Sequence, residues 1–176
     1  MIEVYTPLDG GKGHHIAKPK LFLAGSIEMD TAQNWQAEAI QHFADHDVVI
    51  LNPRRAFWNS DWEQTIDNAE FRAQVEWELS ALQAADAVLF YFDPATKSPI
   101  SLLELGLYIG RASAGTLNKL SVCCPNGFWR KGNVDVTCNF YKIPVTNNFV
   151  EALNEVDKIL YRNFTRNTTV DVLIAR

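Results

Sequence analysis

Residues 87–92 read Ala87-Val88-Leu89-Phe90-Tyr91-Phe92, and Asp93-Pro94 follows at once. A few residues on, the chain reads Ser98-Pro99-Ile100-Ser101-Leu102-Leu103-Glu104-Leu105-Gly106. The first run is apolar without a break, as a strand covered on both faces must be. Asp93-Pro94 ends it, because proline cannot continue a central ladder. The second run opens a helix that extends to about Ala114. Inside it a single acid, Glu104, stands among Leu102, Leu103, Leu105 and Leu107. In open α/β sheets ligands bind outside the carboxyl ends of the strands, which is where residues 93–104 fall.

The same strand-to-helix step recurs on either side. Lys20-Leu21-Phe22-Leu23-Ala24 reads as a central strand that stops at Gly25-Ser26. Thr31 is the expected cap of a helix to about Asp45, with Trp35, Ala39, Ile40 and Phe43 on one face. Asp47 to Leu51 is the next strand and stops at Asn52-Pro53. Residues 53–66 form a loop rich in arginine and tryptophan. A helix is expected from Asn68 to Gln83, with Phe71, Val75, Leu79 and Leu82 as its apolar stripe. Lys119 to Cys124 is a fourth strand and Val134 to Cys138 a short fifth. Phe149 to Tyr161 is a helix with Leu153, Val156 and Leu160 inward, and a polar tail from Asn163 ends in the strand-like Val170 to Ile174. Glu3-Val4-Tyr5-Thr6 has the makings of an edge strand in an otherwise poorly patterned extension, residues 1–19. Strands alternating with helices imply one α/β domain over residues 1–176, a doubly wound parallel sheet with helices on both faces.

Composition narrows the functional classes. The 176 residues carry a formal net charge of -5 and no basic stripe, which argues against duplex nucleic acid as a partner. No apolar run reaches the roughly 20 residues of a membrane span. The amino-terminal residues lack the pattern of a signal peptide, so a cytoplasmic setting is expected. Cys123, Cys124 and Cys138 lack zinc-ligand spacing and read as reduced, buried core thiols. His42 and His46 fall four apart on a helix, a spacing that suits a metal pair but reads first as a solvated face. Asp9-Gly10-Gly11-Lys12-Gly13 lacks the Gly-Lys-Ser/Thr ending of a phosphate loop.

The polar residues gather at the strand ends. The first strand ends in Gly25-Ser26, whose backbone N–H groups suit an oxygen-rich ligand, although a plain tight turn has the same composition. The second ends in Asn52-Pro53-Arg54-Arg55; the two arginines could hold a phosphate or carboxylate, or pair with Asp61 and Glu63. Trp58 and Trp62 could stack on a planar base or pack as core or lid. The third ends in Asp93 and the loop through Ser98 to Ser101. Two readings of Glu104 stand side by side. It neutralises its helix dipole or pairs with Arg111, or it is a partly desolvated carboxylate facing the cleft, able to attack a sugar carbon or move a proton. Glu78 lies on the preceding helix beside the apolar stripe, and paired carboxylates suit glycosidic chemistry.

With these segments in order, the chain resembles the nucleoside 2-deoxyribosyltransferase superfamily, in its deoxyribosyltransferase-like branch. The likeness rests on Leu21-Phe22-Leu23-Ala24-Gly25-Ser26-Ile27, Ile50-Leu51-Asn52-Pro53-Arg54-Arg55, Trp77-Glu78 through Val88, and Ser98 through Gly106, and covers roughly residues 20–145. It implies a flavodoxin-like five-stranded parallel sheet and a glutamate nucleophile, Glu104, that attacks C1′ of a deoxynucleoside or its 5′-monophosphate, expels the base and forms a glycosyl ester. A second base or water then resolves the ester, so transferase and hydrolase are two outcomes of one mechanism. The resemblance further implies Glu78 as the acid of the preceding helix. It places the remaining substrate contacts among Phe22, Gly25, Ser26, Asn52, Pro53, Arg54, Arg55, Trp58, Asp93, Ser98 and Ser101. It also implies a homo-oligomer in which Asn133 reaches a neighbouring subunit's sugar. No metal or organic cofactor is implied. The sequence departs from the family at Phe22, where relatives have tyrosine; at Ser98, where they have an acid; and at Glu78, where aspartate is usual. Ile174-Ala175-Arg176 offers no counterpart to a carboxy-terminal aromatic. A non-catalytic nucleotide-binding module and an NAD glycohydrolase are the alternative expectations.

Overall fold

The computed structural model describes residues 1–28, 31–55, 61–112 and 119–174. Six parallel strands form one sheet in the order β1-β3-β2-β4-β5-β6. They are β1 (Glu3–Tyr5), β2 (Lys20–Gly25), β3 (Val49–Leu51), β4 (Ala87–Tyr91), β5 (Leu120–Cys123) and β6 (Val145–Thr146). Among the described residues four α-helices lie between the strands, α1 (Trp35–His42), α2 (Ala69–Ala84), α3 (Pro99–Ala112) and α4 (Lys131–Phe140), and α5 (Phe149–Ile174) follows β6. Beyond β1, the order of the remaining strands is consistent with a flavodoxin-like sheet, with β1 added at the edge.

Alternation along the strands builds a core on each face. Phe22, Ala24, Val88 and Phe90 meet Trp77, Ala81 and Leu82 of α2, Leu105, Tyr108 and Ile109 of α3, and Val134 and Cys138 of α4. Leu21, Leu23, Ile50 and Leu89 meet Trp35, Ala39 and Phe43 of α1 and Ala152, Leu153 and Val156 of α5. The chain leaves β2 toward β3 by way of α1 and returns to β4 by way of α2, on opposite faces. The strand order therefore reverses between β2 and β4, and their carboxyl ends frame the crevice.

Several expectations need correcting. The sheet has six strands, not five. Residues 134–138 are not a strand but the middle of α4. Val134 and Cys138 are buried one turn apart while Val136 is 71% exposed, a period of four that the β-branched residues disguise. The last strand is β6, two residues long and too short to show a pattern. Residues 170–174 continue α5 instead of forming a strand. The first helix is capped by Asn34, whose Oδ1 accepts from the Ala37 N–H at 3.3 Å, and not by Thr31. In α2 the buried face is Gln74, Trp77, Ala81 and Leu82, while Leu79 is exposed.

The amino-terminal segment packs against the core through the partly buried Tyr5 and Ile16. Its edge strand pairs in parallel with β3, Glu3 opposite Val49 and Tyr5 opposite Leu51. Farther on, the His14 ring lies 5.1 Å from that of Trp77. The three cysteines are free and buried. Burial pushes the Cys123 thiol up to about 12, which makes it inert at neutral pH. His42 ends α1 and His46 lies exposed in the turn after it; their Nε2 atoms lie 2.9 and 3.0 Å from the Asp157 carboxylate of α5. Among the described residues there is no cluster fit to hold a metal ion, and no helix long and apolar enough to cross a membrane.

Candidate active site

The crevice is shaped by a glycine that nothing can replace. Gly25 ends β2 at φ 143°, and a Cβ there would sit 2.2 Å from the Tyr91 carbonyl oxygen of β4. With the backbones this close, Ser26 turns inward, fully buried, and its N–H bonds the Tyr91 carbonyl at 2.9 Å. Its hydroxyl lies 2.6 Å from that of Ser98, accepts from Thr96 Oγ1 at 2.8 Å and from the Asp93 N–H at 2.8 Å. Thr96 and Ser98 are 2.8 Å apart, and Thr96 also reaches the Asp93 carbonyl at 2.9 Å. These contacts tie the end of β2 to residues 93–98, so Ser26 and Ser98 brace the loop that leads into α3. Glu28 braces it from outside, accepting from the N–H groups of Lys97 (3.0 Å) and Ser98 (3.2 Å). Ser98 itself takes φ 46°, a strained conformation that this bonding holds in place. Pro99 then opens α3, a position where its missing N–H is no loss.

Asp93 is also committed within the fold. Its carboxylate accepts from the Gln33 N–H at 3.0 Å and the Ala95 N–H at 2.9 Å. Phe22 is fully buried, with its ring centroid 6.3 Å from that of Trp77. Ser101 is buried at the start of α3. Asn52 Oδ1 accepts from the Arg54 N–H at 3.0 Å, shaping the turn after β3. Trp58 lies outside the described residues.

The two arginines part company. Arg54 runs toward α1, where its Nη1 meets the side-chain oxygen of Gln36 at 3.3 Å. Arg55 runs toward α2: its Nε donates to Gln74 Oε1, and its guanidinium lies 5.1 Å from the Trp62 ring centroid. Gln74 is 3% exposed and passes the contact on. Its amide nitrogen donates to the Pro53 carbonyl at 3.2 Å and to Glu78 Oε1 at 2.6 Å.

Glu78 of α2 and Glu104 of α3 are each half-buried, and the charge of Glu78 is felt at Glu104. Burial first, then the charge of Glu78, pushes the Glu104 carboxyl up to about 8. Burial also raises Glu78, against the hydrogen bond from Gln74 and the charge of Arg55. Like charges in one cleft cannot both ionise freely, so the pair resists losing both of its protons. Among the described residues nothing bonds Glu104, and its pairing with Arg111 does not occur. Asn133 sits on α4, lining the groove between α3 and α4 with Leu102, Leu105, Gly106 and Ile109. By helix periodicity that groove lies roughly 150° around α3 from Glu104, so Asn133 of the same chain is remote from the carboxylates. Sequence reading missed Gln74, Gln36 and Thr96. Only Gln74 carried a signal, its spacing of four residues ahead of Glu78 on one helix face.

This arrangement defines an α/β protein with a partly desolvated carboxyl pair beside the reversal point of a parallel sheet. Such a pair can divide nucleophilic and proton-transfer work. Residues 18–128 match the model of the nucleoside 2-deoxyribosyltransferase-like family, and the chain belongs to that family. The match includes Glu78 and Glu104 and stops short of Asn133. No protein of curated function matches the chain. The family suggests glycosyl transfer on nucleosides.

Proposed function

We propose that the protein breaks or transfers the N-glycosidic bond of a (2′-deoxy)nucleoside or its 5′-monophosphate, with Glu104 as nucleophile and Glu78 as proton donor and acceptor. The observation that carries this reading is a pair of carboxyls on neighbouring helices, both desolvated by burial and with the charge of Glu78 acting on Glu104. A Glu104 oxygen bonds C1′ as the C1′–N bond breaks and its electron pair leaves with the base. The base takes its proton from Glu78. Water or a second base then attacks C1′, gives its proton back to Glu78 and releases the Glu104 carboxylate. One proton on the pair therefore suffices for the full cycle, and no cofactor enters it.

Arg55, already turned toward this side, supplies positive charge for an anionic substrate group. The described structure also favours assembly. Ile100 and Leu103 of α3 and Val136 and Phe140 of α4 are 59%, 68%, 71% and 77% exposed, large apolar side chains that a second copy of the chain could cover. Asn133, in the groove beside α4, would serve a neighbour's site and not its own. The test is release of free base from a panel of nucleosides, deoxynucleosides and their monophosphates. Glu104→Ala and Glu104→Gln should abolish it, and Glu78→Gln should slow it by about 10²–10⁴-fold, the usual share of acid–base catalysis. Base release that survives both changes at Glu104 overturns the assignment.

A further inference from the structure

The carboxyl pair is chemically near-symmetric but structurally lopsided. Glu78 has a hydrogen-bond donor fixed on it, and among the described residues Glu104 has none. That donor can face only one way. Arg55 only donates, so the Gln74 oxygen must be the atom that receives its Nε–H. The Gln74 amide nitrogen therefore turns toward the Pro53 carbonyl and Glu78 Oε1, and its two N–H bonds match those two acceptors. Gln74 is 3% exposed, which keeps water from competing for it. An NH₂ group cannot accept a proton, so the contact at 2.6 Å favours the ionised form of Glu78. Arg55 adds its charge on the same side. Among the described residues Arg55 is the charged group acting on Glu78, and Glu78 the one acting on Glu104.

The geometry points to Gln74 as a positioning residue of this site: gripped by Arg55 and the Pro53 carbonyl, it fixes the negative charge on Glu78 and leaves the single proton of the pair on Glu104. The resting site is thus one proton transfer away from its reactive form. The proton must pass from the Glu104 carboxyl to the free Oε2 of Glu78, with the total charge of the pair unchanged, before Glu104 can attack. The same donor makes the protonated Glu78 the stronger acid, readier to hand its proton to a departing base. That consequence for turnover rests on the glycosidic reading above, whereas the resting position of the proton does not.

The test is a carboxyl ¹³C titration of the full-length protein labelled at glutamate, between pH 4 and 10, with the two signals assigned through Glu78→Gln and Glu104→Gln. Each carboxyl's shift reports its own protonation even in a coupled pair. In the wild type, Glu104 should carry the proton at neutral pH and Glu78 should be ionised. Gln74→Met keeps the side chain's bulk and removes the donor. It should shift the Glu104-to-Glu78 proton ratio by between about tenfold and a hundredfold toward Glu78, the worth of a hydrogen bond to a charged group. If that variant does not fold, Arg55→Met carries the same test with a smaller shift in the same direction. A wild-type proton found on Glu78, or a ratio unmoved in a folded variant, overturns the proposal; a purely structural Gln74 would lower the melting temperature without moving the ratio. Base release is assayed on the same samples. The expected titration without any base release refutes the glycosidic reading alone, and base release with an unmoved ratio refutes the role of Gln74 alone.

Discussion

Glu104→Gln should make the protein more stable at pH 8 while leaving it nearly unchanged at pH 4. The Glu104 carboxyl titrates near 4.5 when unfolded and at about 8 in the fold. Between those values the folded chain holds a proton that the unfolded chain has lost, so stability falls as pH rises. The contribution is fully present below pH 4.5 and is lost on passing through about 8. At 1.36 kcal/mol per pH unit the separation sets a ceiling of about 5 kcal/mol. Water at the mouth of the cleft screens a half-buried group, so about 2–3 kcal/mol is the expected size. Glutamine has the same shape and no proton to lose, so the variant should lack this part of the pH dependence. Urea unfolding of both proteins at half-unit steps from pH 4 to pH 9 measures it, as the difference between the two stability curves. Parallel curves would refute the reasoning, because they would mean that Glu104 ionises in the fold as easily as in the unfolded chain.

Other outcomes follow from the same geometry. Gly25→Ala should cost more than about 3 kcal/mol in thermal or urea melts, since its Cβ would lie 2.2 Å from the Tyr91 oxygen at a φ of 143°. Thr96→Val leaves the Ser26 and Ser98 hydroxyls without their shared partner and should cost about 1–3 kcal/mol, measured by chemical denaturation. Asp157→Ala removes the carboxylate between His42 and His46 and should loosen α1 from α5, seen as faster amide exchange in both helices with the β2–β4 core unchanged. On the proposed assembly, Leu103→Glu combined with Phe140→Glu should leave only monomers in sedimentation experiments, because each replaces an apolar side chain that is more than two-thirds exposed.

The two cores explain which elements are legible in the order of residues and which are not. A strand covered on both faces has to be apolar throughout, so β2, β4 and β5 announce themselves in composition alone. Their alternation with helices then implies a parallel sheet and a cleft at its carboxyl edge, and Glu104 stands out as the acid among leucines at that edge. Residues 134–138 mislead because a β-branched run and a helix with Val134 and Cys138 one turn apart share the same letters; packing of those two side chains into the core decides between them. The strand β6 has two residues and no pattern to read.

What the sequence determines by itself is therefore local: which runs are buried, where each strand stops, and which acids stand near those ends. Partnership belongs to the tertiary structure alone. Arg54 and Arg55 are adjacent in the chain yet serve opposite layers, because successive residues leaving a strand point to opposite faces of the sheet. Ser26 and Ser98 stand 72 residues apart in the sequence and meet at 2.6 Å only in the fold. Glu78 and Glu104 become one titrating pair only because α2 and α3 lie on the same face, and Gln74 breaks the symmetry between them through a bond whose direction is set by Arg55. Hydrophobic burial can be read along the chain because it depends on each residue's own chemistry, whereas the state of a carboxyl depends on groups that meet it only once the helices have packed.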